Sequence, residues 1–358
     1  MLAPMMTQAK AVLLQGLRAS GAVGALARTS WRRDRLLVLC YHGISMRDEH
    51  EWKPGLFLSP ERFEMRVRML VELEYNVLPL AEAVERLLAR SLPPRAVVIT
   101  FDDGFADFGV RAWPVLARYR LPATLYLTTH YVFHRCAIFN LITPYMLWRA
   151  RDRRPDAKPE FGWTAPPDLA SAAGRDDAFR TITNMIIERK STTEEKEELA
   201  ACVAAHLELD YSAMRCQRIC ELLSPEEVTA LSRENLDIQL HTHRHRSPER
   251  AELFEAEIRD NRAAIEQLTG STPRHFCYPS GIEKPGMAEV LRASGVQSAV
   301  TCVAGLADSG ADPLRIARFL DSHTVGEAAF ESWLSGVAAL LPNRLGNGAG
   351  SEYPYVQR

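Results

Sequence analysis

Short apolar runs without polar interruption recur along the chain. The clearest are Leu36–Tyr41, Ala96–Phe101 and Ala123–Leu127. A strand with one exposed face alternates apolar and polar residues, whereas a strand buried on both faces is apolar throughout. These runs therefore predict the strands of a parallel sheet. Shorter runs that continue the pattern lie at 237–240, 276–278, 298–302 and 314–320.

Segments with helical periodicity separate the apolar runs. Ser59-Pro60 predicts a helix start, with Ser59 as the N-cap, and Ser224 with Glu227 forms a capping box. The alternation of strand and helix over about six to eight units favours a closed or nearly closed (β/α) barrel. Further helices are predicted at 80–89, 113–119, 249–268 and 287–294.

One long segment interrupts this alternation, at about residues 131–222. It begins with aromatic residues, continues through an irregular stretch at 151–175, and ends in two polar helices. We interpret it as a helical insertion from one β/α loop. A loop of this size on the functional face of a barrel shapes the substrate cleft or acts as a stabilising lid, and the sequence leaves both open.

The two ends of the chain are predicted to lie outside the barrel. We expect a helical extension at 1–35, the barrel at 36–330, and a C-terminal helix with an irregular tail at 331–358. Residues 8–28 are too polar for a spanning helix and make a poor signal peptide, although basic residues leave a loose membrane-surface contact open. The expected location is the cytoplasm, with a membrane-peripheral position as the alternative.

Composition narrows the choice of partners. The 358 residues are 47% hydrophobic and 25% charged, as in a globular protein with a full core, and the net charge of −2 disfavours nucleic acid as a partner. The 7 cysteines are scattered singly along the chain, and their number is odd. This pattern favours neither a disulfide framework nor a cysteine zinc site. The oligomeric state stays open.

Two adjacent carboxylates follow one of the predicted strands. Asp102 and Asp103 come directly after Ala96–Phe101, and Gly104 lets the chain turn sharply. Neighbouring carboxylates repel each other, so one of them needs a cation. Because the carboxyl ends of barrel strands form the active face, the pair is a candidate for catalysis. Asp-Asp-Gly is also a common turn, which is the alternative interpretation.

A histidine-rich segment follows another predicted strand. His241 and His245 would share a face if the turn were helical, whereas His243 would point away and is assigned no ligand role. Two neutral imidazoles and one carboxylate suit zinc with an open coordination position. A solvated loop is the alternative.

Taken together, these motifs resemble those of the polysaccharide deacetylases of the NodB-homology type (carbohydrate esterase family 4). The resemblance covers about residues 36–130 and 222–325. It implies a distorted (β/α) barrel of the NodB-homology type with a large helical insertion. The matching motifs are Thr100-Phe101-Asp102-Asp103-Gly104, His241-Thr242-x-x-His245, Phe276-Cys277-Tyr278-Pro279-Ser280-Gly281, and Tyr41-His42-Gly43-Ile44, the last as in the branch that deacetylates poly-N-acetylglucosamine.

The resemblance also implies roles for individual residues. Asp103, His241 and His245 would bind a divalent metal, with zinc expected and cobalt or nickel as alternatives. Asp102 would be the general base toward a metal-activated water, which is the nucleophile. The residues expected on the substrate or oxyanion side are Tyr278, Ser280 (through its backbone N–H) and Arg318.

The general acid is not evident from the family pattern. His42 ends the first strand and is a candidate catalytic residue, with a structural role as the alternative. His323 is a weaker candidate. Arg315 and Arg318 alternate with apolar residues on the last predicted strand, so both could point into the barrel mouth, where one could keep Asp102 ionised.

The expected function is hydrolysis of N-acetyl groups on an amino-sugar-containing glycan or a sugar–lipid precursor. Two other functions stay open at this point. One is a carbohydrate-binding module that has lost catalysis, and the other is an amide or imide hydrolase on the same fold.

Overall fold

The apolar runs form one curled parallel sheet. The computed structural model describes residue 16 and residues 21–341. Its strands lie in the spatial order β10-β1-β5-β6-β7-β8-β9, with β4 also paired to β5. Those strands are β1 (Leu37–Tyr41), β4 (Asn76–Val77), β5 (Ala96–Asp103), β6 (Thr124–Leu127), β7 (Asp237–Leu240), β8 (His275–Cys277), β9 (Ser298–Val300) and β10 (Phe319–Leu320), while β2 (Gly43–Ile44) and β3 (Phe57–Leu58) pair separately.

The two ends of the main sheet approach each other. Val300 in β9 forms a parallel bridge with Ile316, shortly before β10, and β10 itself pairs with β1. All neighbouring pairs within the sheet are parallel. The predicted distorted (β/α) barrel is therefore confirmed.

Helices connect the strands and cover the sheet. Ser59 caps its helix as predicted, because its hydroxyl accepts a hydrogen bond from the Arg62 N–H. The helices in chain order are α1 (Ala22–Ala27), α2 (Ser30–Arg33), α3 (Glu49–Trp52), α4 (Pro60–Glu72), α5 (Leu80–Leu88), α6 (Trp113–Tyr119), α7 (His130–His134), α8 (Phe139–Arg149), α9 (Ala172–Arg189), α10 (Thr193–His206), α11 (Tyr211–Cys216), α12 (Pro225–Arg233), α13 (Ala251–Thr269), α14 (Met287–Ala293), α15 (Glu327–Ser335) and α16 (Val337–Leu340).

The last strand is much shorter than the sequence suggested. Residues 314–320 were predicted as one strand, but Pro313–Arg315 form a 3-10 turn and only Phe319–Leu320 are extended in the sheet. The Asp312 side chain accepts the Leu314 N–H and so stabilises the turn. A local cap therefore prevails over the apolar alternation in this segment.

The predicted insertion leaves the sheet after β6 and returns before β7. It contains α7 to α11, and its middle is irregular as predicted, apart from a short 3-10 turn at Pro159–Phe161. Asp48, in the loop after β2, accepts hydrogen bonds from Tyr145 and Arg149 of α8. These contacts attach the insertion to the loop that follows β2.

The segments near both termini pack together on the barrel. The buried Arg32 donates to the carbonyls of Arg35 (2.7 Å), Ala96 (3.1 Å) and Leu334 (2.8 Å), so it joins α2 and α15 to β5. Most of the helix predicted at 8–28 and the tail after residue 341 lie outside the described residues. Among the described helices, none is both long and apolar enough to cross a membrane.

A buried ion pair holds the segment that follows β10. Asp321 accepts from the Arg66 guanidinium at 2.9 Å, and both side chains are fully buried. The guanidinium also lies over the Phe330 ring, 4.2 Å from its centroid. Removal of one partner from such a pair leaves an uncompensated buried charge, which is strongly destabilising.

We therefore expect Asp321→Asn to lower the free energy of unfolding by about 3–5 kcal/mol. Urea denaturation followed by circular dichroism would measure the change. Glu82→Gln is the matched control, because Glu82 pairs with Arg86 at 2.7 Å on the surface, where such a pair contributes about 1 kcal/mol or less. Equal effects of the two substitutions would contradict the anchoring role of Asp321.

Candidate metal and catalytic site

Polar side chains from two strand ends meet at one edge of the sheet. Asp102 and Asp103 are the last residues of β5, and His241 directly follows β7. Successive residues of a strand face opposite sides, yet both carboxylates line the same cavity. The left-handed backbone at Asp103 (φ +70°) makes this possible. Gly104 (φ +93°) continues the turn, where a Cβ would lie 2.3 Å from the Leu127 side chain.

The three residues predicted to bind a metal lie together. Asp103 Oδ1 is 3.3 Å from His241 Nε2 and 3.2 Å from His245 Nε2. One potential ligand atom of each residue lies within 4.8 Å of those of the other two. The site is therefore open enough for an ion between the three side chains, and the donor set suits a borderline-soft divalent metal.

The two histidines converge through an irregular turn, not the helical turn considered from the sequence. Thr242 (φ +61°) and His245 (φ +54°) both have left-handed backbone, and helix α13 begins only at Ala251. The Thr242 hydroxyl accepts the Arg246 N–H at 3.1 Å, which closes the turn. His243 points elsewhere, since its Nδ1 is 2.8 Å from the Thr129 hydroxyl.

Hydrogen bonds fix the orientation of His241. Its Nδ1–H donates to the Cys277 carbonyl at 2.9 Å, so in its neutral form the ring directs an unprotonated Nε2 at Asp103. A second-layer carbonyl that sets the tautomer in this way is usual for metal-ligating histidines. Burial lowers the pKa of His241, but the hydrogen bond to Asp103 and the charge of Asp102 outweigh it, and the pKa lies above its usual value.

Helix α13 supplies two supporting residues that sequence reasoning missed. Asn261 accepts the His241 N–H at 2.9 Å and donates to the Leu127 carbonyl at 2.9 Å, so it ties the ends of β6 and β7 together. Glu257 accepts the Arg244 N–H at 2.7 Å. Both are buried on the apolar face of the helix. A polar residue at a helix position where the periodicity calls for an apolar one is a sequence signal, and it could have identified Asn261 and Glu257.

Asp102 is held by a buried arginine. Its two carboxylate oxygens accept from Nη1 and Nη2 of Arg318, each at 2.8 Å, and the arginine also donates to the Thr301 carbonyl at 2.9 Å. Burial raises the pKa of Asp102, but the Arg318 guanidinium outweighs burial and keeps it far below its usual range. Asp102 is therefore ionised. The sequence-based expectation that an arginine of this segment keeps Asp102 ionised agrees with this geometry.

Two thiols complete the surroundings of Asp102, and sequence reasoning missed both. Cys277 and Cys40 donate to Asp102 Oδ2 at 3.3 Å and 3.5 Å. Burial and the neighbouring carboxylate raise the pKa of each thiol well above its usual value, although Arg318 opposes the change. The thiols therefore remain protonated and act as hydrogen-bond donors.

His42 lies beside this group at the cavity surface. Its Nε2 is 3.8 Å from Asp102 Oδ2, and the residue lines the cavity. Burial lowers the pKa of His42 in spite of the two nearby carboxylates, so the ring is neutral near neutral pH. Ser280, with left-handed backbone (φ +56°), also lines the cavity.

Four other residues considered from the sequence do not reach the cavity. Arg318 is fully buried beneath Asp102, so it holds the carboxylate and does not contact substrate. The Tyr278 ring is buried in the hydrophobic core, with its centroid 5.2 Å from that of the Phe276 ring. Arg315 pairs with Glu283 on the surface. His323 packs 4.7 Å from His50, away from the triad.

A cavity opens above the triad, between the barrel and the insertion. The barrel supplies its floor, with Asp102, Asp103 and the two histidines. Helices α7, α8 and α10 of the insertion supply apolar and polar wall residues, among them Tyr131, Phe139 and Lys196. The insertion thus shapes the cleft, which was one of the two roles considered for it.

Comparison with known proteins agrees with this architecture. Residues 89–299 match the family described as polysaccharide deacetylase. The poly-beta-1,6-N-acetyl-D-glucosamine N-deacetylase of Escherichia coli K12 is 30% identical over 101 residues, which cover 27% of this chain and 14% of that protein. YxkH of Bacillus subtilis is 31% identical over 102 residues, 28% of this chain and 34% of that protein. The chain thus spans about a third or less of these curated relatives.

Solved structures share the fold at low sequence identity. The Streptococcus pyogenes deacetylase PplD, solved in complex with acetate, superposes with a TM-score of 0.54 at 17% identity, over 86% of this chain and 99% of that one. IcaB from Ammonifex degensii gives a TM-score of 0.52 at 19% identity, over 84% and 97% of the two chains. The family match covers more than half of this chain, and it includes β5 and the histidine turn. The chain therefore belongs to the polysaccharide deacetylase family.

Proposed function

We propose that the protein is a metal-dependent hydrolase that removes N-acetyl groups from an amino-sugar-containing glycan. The observation that carries the proposal is the convergence of His241, His245 and Asp103 at the floor of a cavity, next to the ionised Asp102. The family to which the chain belongs supports deacetylation as the reaction.

The donor set fits a divalent cation. In its neutral form, His241 directs a ring lone pair at a carboxylate oxygen 3.3 Å away. Two acceptors that face each other repel unless a proton or a metal ion lies between them. His241, His245 and Asp103 would hold the metal, with zinc expected and cobalt or nickel as alternatives. When bound, the ion supplies Lewis acidity toward an acetamide carbonyl and toward water.

Asp102 is the residue that we assign as the general base. A base must be ionised before it can accept a proton, and Arg318 ensures this by its two hydrogen bonds of 2.8 Å. The bidentate contact also restricts the carboxylate to one orientation. Asp102 is therefore held in a fixed position in which it can accept a proton from the attacking water. It would then retain that proton or pass it on.

His42 and Ser280 are suited to the other half of the reaction. We assign His42 to protonation of the amine that leaves. Its neutral ring lies 3.8 Å from Asp102 Oδ2, so it would receive the proton that Asp102 takes from the water and pass it to the amine nitrogen as the C–N bond breaks. Ser280 lines the cavity, and its backbone N–H is our candidate for stabilising the oxyanion. Both assignments place a donor on the same cavity as the base.

We expect Asp103→Asn to lower the affinity for zinc by at least about 100-fold, since even outer partners of metal ligands contribute about 10–100-fold. Asparagine tolerates the left-handed backbone at this position, so the turn should persist. Metal analysis and acetate release from N-acetylated chito-oligosaccharides would measure the loss. Asp34→Asn, at an exposed site, is the control. Unchanged zinc content and activity in Asp103→Asn would refute the ligand assignment.

Asp102→Asn should separate catalysis from metal binding. The amide cannot accept the proton of the water, so we expect zinc content to persist while acetate release falls by about 10²–10⁴-fold. The substitution also leaves Arg318 buried without its charged partner, so the variant should be less stable. Circular dichroism would establish that it is folded under the assay conditions. Activity near that of the unaltered protein would exclude Asp102 as the base.

Arg318→Met should destabilise the protein, because the ionised Asp102 would be left buried without its partner. We expect the free energy of unfolding to fall by about 3–5 kcal/mol, with partial recovery in Arg318→Lys. Arg315→Met is the control, because Arg315 pairs with Glu283 at an exposed position, where about 1 kcal/mol or less is expected. Denaturant titration of the three variants would measure the difference, and a loss no larger than that of the control would contradict this role.

A further inference from the structure

The acidic residues that line the cavity all have cationic or metal-site partners. Asp102 is paired with Arg318 at 2.8 Å. Asp103 belongs to the triad with the two histidines. Glu197, on the wall formed by α10, is paired with Arg215 at 3.0 Å. Within the part of the chain that the structure describes, no unpaired negative charge on the cavity surface is therefore left to neutralise a cation there.

Several cationic side chains line the same cavity, and they differ in whether an acidic residue neutralises them. Arg244 is neutralised by Glu257 at 3.0 Å and Asp260 at 3.6 Å. Lys196, from α10, and Arg246, from the turn after β7, also line the cavity. Among the described residues, neither Lys196 nor Arg246 forms an ion pair. The insertion and the barrel thus each contribute one uncompensated positive charge.

The charge of Arg246 affects the pKa values of two residues in the cavity wall. Burial raises the pKa of Tyr131, and the charge of Arg246 opposes that rise. Burial lowers the pKa of His130 to about 4, with smaller contributions from its histidine neighbours and from the charges of Arg244 and Arg246. Both Tyr131 and His130 line the cavity. The chain as a whole has a net charge of −2. The positive charge of the cavity is therefore a local property. A concave site with one sign of charge focuses its field on an oppositely charged ligand.

We propose that Lys196 and Arg246, which line the same cavity as Asp103, form a subsite for an anionic group of the substrate. The substrate class would then be an N-acetylated amino sugar that carries a carboxylate or a phosphate close to the acetamido group. This inference rests on the proposed function, because it takes the amino sugar as the group that reaches the triad. Guanidinium and ammonium groups bind both kinds of anion, and the guanidinium binds them bidentately.

Binding to three ligands would test the subsite. N-acetylated chitotetraose is neutral, a tetrasaccharide of alternating glucuronate and N-acetylglucosamine carries carboxylates, and uridine diphosphate N-acetylglucosamine carries phosphates. We expect calorimetry of the zinc-loaded protein to give tighter binding for at least one anionic ligand, and that preference should weaken as salt is added. The ligand that shows it would distinguish the carboxylate from the phosphate.

Variants of the two cations make the test specific. K196M/R246M should weaken binding of the preferred anionic ligand by about ten- to a hundredfold and leave the neutral ligand unchanged. K196R, which keeps the charge, should retain the preference. R189M/K190M removes two exposed cations at the end of α9, outside the cavity, and is the matched control. It should behave like the unaltered protein.

Two outcomes would overturn the subsite. One is equal affinity of the unaltered protein for neutral and anionic ligands. The other is an equal loss for all three ligands in K196M/R246M. Acetate release by the unaltered protein is measured separately. Absence of release, together with a preference for the anionic ligand that depends on Lys196 and Arg246, would refute the proposed function while the subsite stands.

Discussion

The buried pair of Asp102 and Arg318 is the interaction on which the rest of the site depends. It spans the interior of the barrel, from the end of β5 to the segment that precedes β10. A buried ion pair is stable only when further hydrogen bonds satisfy both partners. The thiols of Cys40 and Cys277 and the Thr301 carbonyl provide them here. The short last strand of the sheet is thereby fixed to its centre.

Because of this pair, the two adjacent carboxylates of Asp102 and Asp103 have different surroundings. Asp102 faces a fixed guanidinium and stays ionised and immobile. Asp103, turned by its left-handed backbone, faces two imidazoles. Burial raises the pKa of Asp103, but His245, His241 and His42 lower it to about 2. Two carboxylates that would repel each other in one environment thus face different partners, the Arg318 guanidinium for Asp102 and the imidazoles of the candidate metal site for Asp103.

Much of this arrangement could be predicted from the sequence, because buried parallel strands and capped helices leave strong local patterns. The strand Ala96–Phe101 and the capping box of Ser224 and Glu227 are present as predicted. The fold class is confirmed as well. The family motifs identified Asp102, Asp103, His241 and His245, and the structure brings all four to one site.

Other features depend on tertiary contacts that leave no periodic signal. The apolar alternation of Leu314–Leu320 indicated a strand, but the Asp312 cap and a 3-10 turn direct Arg315 to the surface and Arg318 beneath the site. Tyr278 lies in a motif of the family, yet its side chain belongs to the core. The thiol donors to Asp102 were missed because single cysteines have no pattern that distinguishes a donor from packing.

Because of the insertion between β6 and β7, the reactive side chains and part of the wall that shapes the cleft lie on different segments of the chain. The reactive side chains stand at strand ends and the turns that follow them, whereas α7, α8 and α10 of the insertion supply part of the cavity wall. Contacts that join the insertion to the barrel include those of Asp48 and the hydrogen bond from the His130 N–H to the His243 carbonyl at 2.8 Å. Substitutions in those helices can therefore reshape the cleft without disturbing the strands below. One chemical core could in this way serve different glycans through exchange of a single segment.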